Sequence, residues 1–236
     1  MHLEGKPWLD SAGIDPAVLE LRPDYRALLV TAEGLRPGPC DETGERLLAD
    51  AEEHARKRFA DAAVEEHPHV AAWRDAYRSF GAKPQRTRPS VEALLRRLDT
   101  GLPRVDRLTD VYNAVSVAHV LPLGGEDLDN YAGPARLVRA DGTERFEITV
   151  GGEGAVEYPK PGEVVWRDDA GVTCRRWNWR QCVRTRLTHG TTRAVFILDA
   201  LGPMTDDALA EAGEALTAAL LDSNPGARMA SRLVTG

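Results

Sequence analysis

The chain has 236 residues, 42% of them apolar and 28% charged, with a formal net charge of −7. That length suits one large domain or two small ones, and the apolar fraction supports a true core. No apolar run approaches the ~20 residues that cross a bilayer, the opening MHLEGKPWLDSAG lacks the basic and apolar regions of a secretory signal, and three cysteines without CxxC spacing form neither a disulfide framework nor a structural zinc site; the expectation is a cytoplasmic protein without membrane contact, metal or cofactor.

Residues 18–21 and 26–31 have strand-like composition, with Pro23 and Asp24 as the turn between them. Residues 42–60 lack proline, have no glycine after Gly44 and are rich in helix formers, so they predict a helix. His67-Pro68-His69 offers two imidazoles, but no Cys or carboxylate pattern completes a metal site, and a surface loop is expected there. A helix over 68–80 follows from Val70, Trp73 and Tyr77 at helical spacing, stopped by Gly81. Residues 83–89, KPQRTRP, form a basic loop. Ser90 then stands as the cap of a short helix through Leu98, with Glu92 in its first turn and Arg96 and Arg97 near its end, an order that suits the helix dipole. Residues 109–119 predict a helix with Val111, Val115 and Ala118 on one side. Beyond Pro122 the pattern turns to strands. Residues 136–140 and 144–150 read as a hairpin around Asp141-Gly142, and 163–167 and 172–175 as a second around 168–171. A buried strand over 193–198 and an amphipathic helix over 205–221 follow, the latter with Leu209, Leu216 and Leu220 inward. Helices gather early and strands late, which predicts an α+β fold.

Charge is placed unevenly. Between Trp73 and Arg107 nine Lys or Arg face four acids, and between Asp199 and Asp222 six acids meet no base. The sharpest feature is CRRWNWRQCVRTR from Cys174: six arginines (175, 176, 180, 184, 186 and 193) lie in a stretch without Asp or Glu, with Trp177 and Trp179 among them. Guanidinium forks suit phosphate and indoles suit stacked rings, so the segment points to an anionic ligand. At least one of Trp177 and Trp179 is expected in the core. Cys182 among arginines is a nucleophile candidate against the commoner packing role. The segment LPLGGEDLDNY (121–131) reads either as a loop gripping an amino group through its carboxylates or, by preference, as a turn with solvated acids. No GxSxG, P-loop, HExxH or GxGxxG is present.

The run VDRLTDVYNAVSVAHVLPLGGEDLDNY, followed by the hairpins, GEVVW and CRRWNWRQ, resembles the B3/B4 domain, the editing and tRNA-binding module of the phenylalanyl-tRNA synthetase β subunit, which also occurs free-standing. SFGAKPQRTRPSVEALLRRL resembles the segment entering that domain. The resemblance spans roughly residues 73–200. It implies a B3/B4-like domain with antiparallel sheets flanked by helices over residues 1–236, an N-terminal α/β extension to about 72 and a C-terminal helix over about 205–222. It implies a deacylase that hydrolyses the ester of misacylated tRNA in trans, against the alternatives of a non-catalytic tRNA-binding module or an amino-acid sensor. Its partners would be the tRNA acceptor end and an aminoacyl-tRNA synthetase, not DNA.

The resemblance assigns the site residue by residue. Asn113 falls on the Asn of the synthetase's Asn-Tyr pair, Tyr112 beside it where Thr is common, and Asp127 on the Asp after the loop that begins at Pro122. Asn113, Asn178 and Arg176 are the catalytic candidates; Tyr112, Gly124, Gly125, Asp127, Arg175, Trp177 and Arg180 the substrate-binding ones; and Lys83, Arg86 and Arg88 would meet the acceptor stem. Gly124 departs from a His, and the Arg-Trp-Asn-Trp-Arg run from a Gly-rich stretch, so tyrosine rejection does not carry over.

Overall fold

In a computed structural model, residues 5–236 are described. The chain runs through α1 (Gly5–Ser11), β1 (Gly13–Ile14), α2 (Pro16–Leu19), β2 (Arg26–Glu33), α3 (Glu42–Arg58), α4 (Pro68–Ser79), α5 (Ser90–Leu95) and α6 (Arg107–His119). Then come β3 (Leu123–Asp127), β4 (Arg136–Arg139), β5 (Phe146–Val150), β6 (Glu153–Glu157), β7 (Val164–Arg167), β8 (Val172–Arg175), β9 (Arg180–Gln181) and β10 (Arg193–Ala200), before α7 (Asp206–Ser223) and β11 (Arg228–Val234). The fold is α+β.

An antiparallel sheet in the order β11-β2-β10-β3 forms the centre. Successive side chains of its strands point to opposite faces. Val30, Phe196 and Leu198 pack against α6 and α7 through Val111, Leu209 and Leu216. Leu29, Val195 and Ile197 meet Leu137, Val164 and Trp166 of the second sheet, ordered β1-β4-β7-β8-β9, together with Trp73 and Tyr77 of α4. Trp177 stands edge-on to Tyr25 at 4.9 Å and to Trp73 at 5.4 Å, contacts worth about 0.5–1.5 kcal/mol each beyond the area they bury. No helix among the described residues is long and apolar enough to cross a membrane.

The expected helices at 42–60, 68–80, 109–119 and 205–221 appear as α3, α4, α6 and α7, and the second hairpin as β7 and β8. Four expectations are corrected. Residues 18–21 are not a strand: Pro16 starts α2 with φ already set, and the Asp15 side chain accepts from Ala17 N. The first hairpin is re-paired: β4 joins β7, while β5 joins β6 across Gly151 and Gly152, whose positive φ values of 61° and 91° make the tight turn that Asp141-Gly142 does not. Ser90 is the first residue of α5 rather than its cap, and α5 ends at Leu95. His69 is no loop residue. It is buried in α4, with Nδ1 bonded to Val120 O (2.8 Å) and Nε2 accepting from Trp73 Nε1 (3.1 Å) and Leu201 N (3.2 Å), and burial pushes its pKa down to about 4.

Candidate functional site

Between the two sheets and α5–α6 lies a cavity of about 320 Å³. Its apolar walls come from Leu94, Leu123, Trp166, Trp177, Trp179 and Ile197. Tyr112 and Asn113 reach it from consecutive positions of α6, Gly124 and Glu126 from β3, Asn178 from the turn after β8, and Arg180 and Gln181 from β9. That turn is strained. Arg176 and Trp177 have φ of 48° and 69°, left-handed values for side chains that disfavour them, at a cost of about 1–3 kcal/mol each. The strain splits the run: Trp177 goes fully into the core, Asn178 into the cavity wall, and Trp179 lies under the Arg176 guanidinium at 4.2 Å.

The buried end of the cavity is a polar network. Tyr77 Oη donates to Asn178 Oδ1 (2.9 Å), Asn178 Nδ2 donates to Asp199 Oδ2 (3.2 Å), and Tyr25 Oη donates to Asp199 Oδ1 (2.5 Å). Burial raises the Asp199 carboxyl from 3.8 to about 7, against the pull of the Tyr25 and Asn178 hydrogen bonds. Glu126 is raised in the same way, to about 7, while its Oε2 accepts from Tyr131 (2.5 Å) and Thr185 (3.1 Å). Asn113 is buried, yet its amide makes no hydrogen bond among the described residues. The buried indole nitrogens of Trp166 and Trp177 likewise have no hydrogen-bond partner among the described residues. At the solvent side, Arg97 and Arg180 line the cavity as exposed guanidiniums without an ion-pair partner among the described residues. Such a site has apolar walls for a side chain, carboxyls poised near neutrality, a free amide and outer positive charge.

A family model, described as the B3/4 domain, matches residues 72–215. The chain belongs to the B3/4 domain family. Among solved structures it is similar to an N-terminal fragment of the phenylalanyl-tRNA synthetase β subunit from Pyrococcus horikoshii, at 13% identity and a TM-score of 0.46, the match covering 95% of this chain and 50% of that one. The chain thus spans half the length of that fragment. No curated protein matches it.

Of the residues singled out in sequence, this B3/4 domain brings Tyr112, Asn113, Gly124, Trp177, Asn178 and Arg180 to one cavity. Others lie elsewhere. Arg175 is buried against Glu163 (2.8 Å through both Nε and Nη2) and Glu157 (2.8 Å). Arg176 does not line this cavity: it stacks over Trp179, and its Nη1 donates to Thr87 Oγ1 (2.5 Å). Asp127 accepts from Thr191 Oγ1 (2.6 Å) and caps the turn at Leu128–Asn130. Gly125 clears room for packing rather than for a ligand, since a Cβ there would lie 2.8 Å from Phe196. Arg88 leans to Glu92 at 3.7 Å, while Lys83 and Arg86 line a separate pocket.

The arginine cluster is less uniform than its sequence. Arg184 makes a bidentate pair with Asp168 (2.8 Å twice) and Arg193 pairs with Asp129 (2.6 Å), so acids distant in sequence neutralise half of a run that contains none. Segment 121–131 holds a strand, Leu123–Asp127, followed by a single 3-10 turn, and its Glu126 and Asp127 are buried at 1% and 5% exposure rather than solvated. Burial raises the Cys182 thiol, leaving it a packing residue. Asp199 escaped the sequence reading; its signal was a single acid closing the apolar run AVFILDAL.

Proposed function

We propose that this B3/4 domain is a deacylase that hydrolyses the ester of misacylated tRNA. The observation that carries the reading is the cavity itself: an apolar chamber sized for an amino acid, with the free Asn113 amide, the Glu126 carboxyl and the outer Arg97 and Arg180 converging on it. Apolar walls take the side chain. Arg97 and Arg180 meet the terminal nucleotide's negative charge.

Hydrolysis then needs an oriented water and a stabilised oxyanion. With a pKa near 7, Glu126 is matched to general-base work at neutral pH. It takes the water's proton as the oxygen adds to the ester carbonyl; the Asn113 amide donates to the developing oxyanion; the ribose oxygen leaves with a proton, giving free amino acid and uncharged tRNA. Asn178, fixed on both sides by Tyr77 and Asp199, shapes the wall that the side chain meets.

A deacylation screen tests this. Misacylated and correctly charged tRNAs would be incubated with the wild-type protein, Asn113→Ala and Glu126→Gln. Selective hydrolysis that drops at least about 100-fold in both variants is expected. Binding without hydrolysis across the panel would replace the enzyme with a tRNA-binding module, and binding of free amino acid alone would make it a sensor.

A further inference from the structure

Beyond the Arg176–Trp179 stack lies a second, polar pocket of about 300 Å³. Lys83, Arg86, Thr87, Lys160, Glu163 and Arg176 line it. Three segments distant in sequence meet there, the turn before α5, the loop before β7 and the strained turn after β8. The first segment is locally fixed: Arg86 N and Thr87 N both donate to Lys83 O at 2.9 Å. Lys83, Arg86 and Lys160 are exposed and have no side-chain partner among the described residues.

Among the described residues Glu163 is the one acid lining this pocket, and it is already engaged. Both its oxygens hold Arg175 at 2.8 Å, whereas Arg176 stands 3.8 Å away. Arg176 is partly desolvated, donates to a neutral hydroxyl, and shares its nearest carboxylate with the more closely held Arg175. Such a guanidinium, flanked by three exposed cations, suits an anion.

We propose that Lys83, Arg86, Lys160 and Arg176 form a phosphate-binding site, and that the phosphate is a backbone group of the RNA strand whose end enters the cavity. The Trp179 ring links the two, since it carries Arg176 and also lines the cavity. Arg176 thereby acts in substrate binding rather than in the chemistry. The polymer's identity rests on the deacylase reading; the phosphate site does not.

The test is binding followed by tryptophan fluorescence, since Trp179 reports on Arg176. Uncharged RNA oligonucleotides ending in CCA, adenosine monophosphate and inorganic phosphate would be titrated into the wild-type chain, Arg176→Ala and Lys160→Ala across a salt series. The expected result is salt-dependent binding of the oligonucleotide, weakened about tenfold or more in each variant, with a salt slope reduced by about 1 per cation removed. Inorganic phosphate should compete weakly. Oligonucleotide affinity and slope unchanged in both variants would overturn the site, even with deacylation intact. Inorganic phosphate binding as tightly as the oligonucleotide would overturn the backbone assignment. Binding lost in these variants while Glu126→Gln binds normally but fails to hydrolyse would uphold both readings separately.

Discussion

Asn113 and Asn178 line one cavity but answer differently to truncation. The Asn178 amide satisfies Tyr77 and Asp199, both buried, so Asn178→Ala strands two polar groups, at about 1–3 kcal/mol for each group left unsatisfied. Asn113→Ala removes an amide that makes no hydrogen bond among the described residues and leaves a better helix former in α6, so its stability should change by no more than about 1 kcal/mol. Thermal melts beside deacylation rates separate the two: a large loss of melting temperature for the first, and a loss of rate without one for the second. Asp199 adds a pH signature. Its carboxyl loses its proton near 3.8 when unfolded and near 7 when folded. Between those values the native state holds a proton that the unfolded chain has released, so raising the pH favours unfolding. Relative to Asp199→Asn, the wild type should lose stability steadily from about pH 4 to about pH 7 and level off above, a trend read by urea denaturation at each pH. A gap between the two proteins that stays constant over this range would show that Asp199 ionises normally.

The turn between β7 and β8 shows why element-level reading from sequence succeeds in outline and fails in meaning. Asp168 to Gly171 was legible as a turn from its composition. Its larger role was not: Asp168 accepts from Ala132 N, Ala170 N, Gly171 N and Arg184, tying three segments together. Gly171 sits at φ 149°, and a Cβ there would fall 2.4 Å from Arg145 O. Gly171→Ala should therefore cost more than about 2 kcal/mol, a fall of about 4–8 °C in melting temperature for a chain of this size. Local pattern reveals periodicity, caps and turns because these are written in adjacent residues. It misses the pairing of β4 with β7 and the partners of Arg175 and Arg184, because those are set by residues many positions away. The cavity was half legible for the same reason: Tyr112 and Asn113 lie in a recognisable run, whereas Asp199 becomes a site residue only when β10 lies beside β2.

At the scale of the whole molecule, α1 and β11 both close on the central sheet. β2 lies between β11 and β10, and Arg232 of β11 donates to Leu9 O and to Ala12 O (2.9 Å) near the end of α1. Deleting residues 228–236 would bare the β2 edge, whose side chains are largely core, and the expected outcome is aggregation on expression rather than a slightly less stable monomer; size-exclusion chromatography of the truncated protein checks it. The same arrangement bears on how such a domain can be moved between proteins. The stretch matched by the family model begins at residue 72, yet the phenol that caps Asp199 belongs to Tyr25, 174 positions earlier. A graft cut at the recognisable boundaries would carry the acid and abandon its donor, along with the central strand of the sheet. Tyr25 and Asp199 have to travel together, so the transplantable unit of this fold is larger than the one its motifs announce.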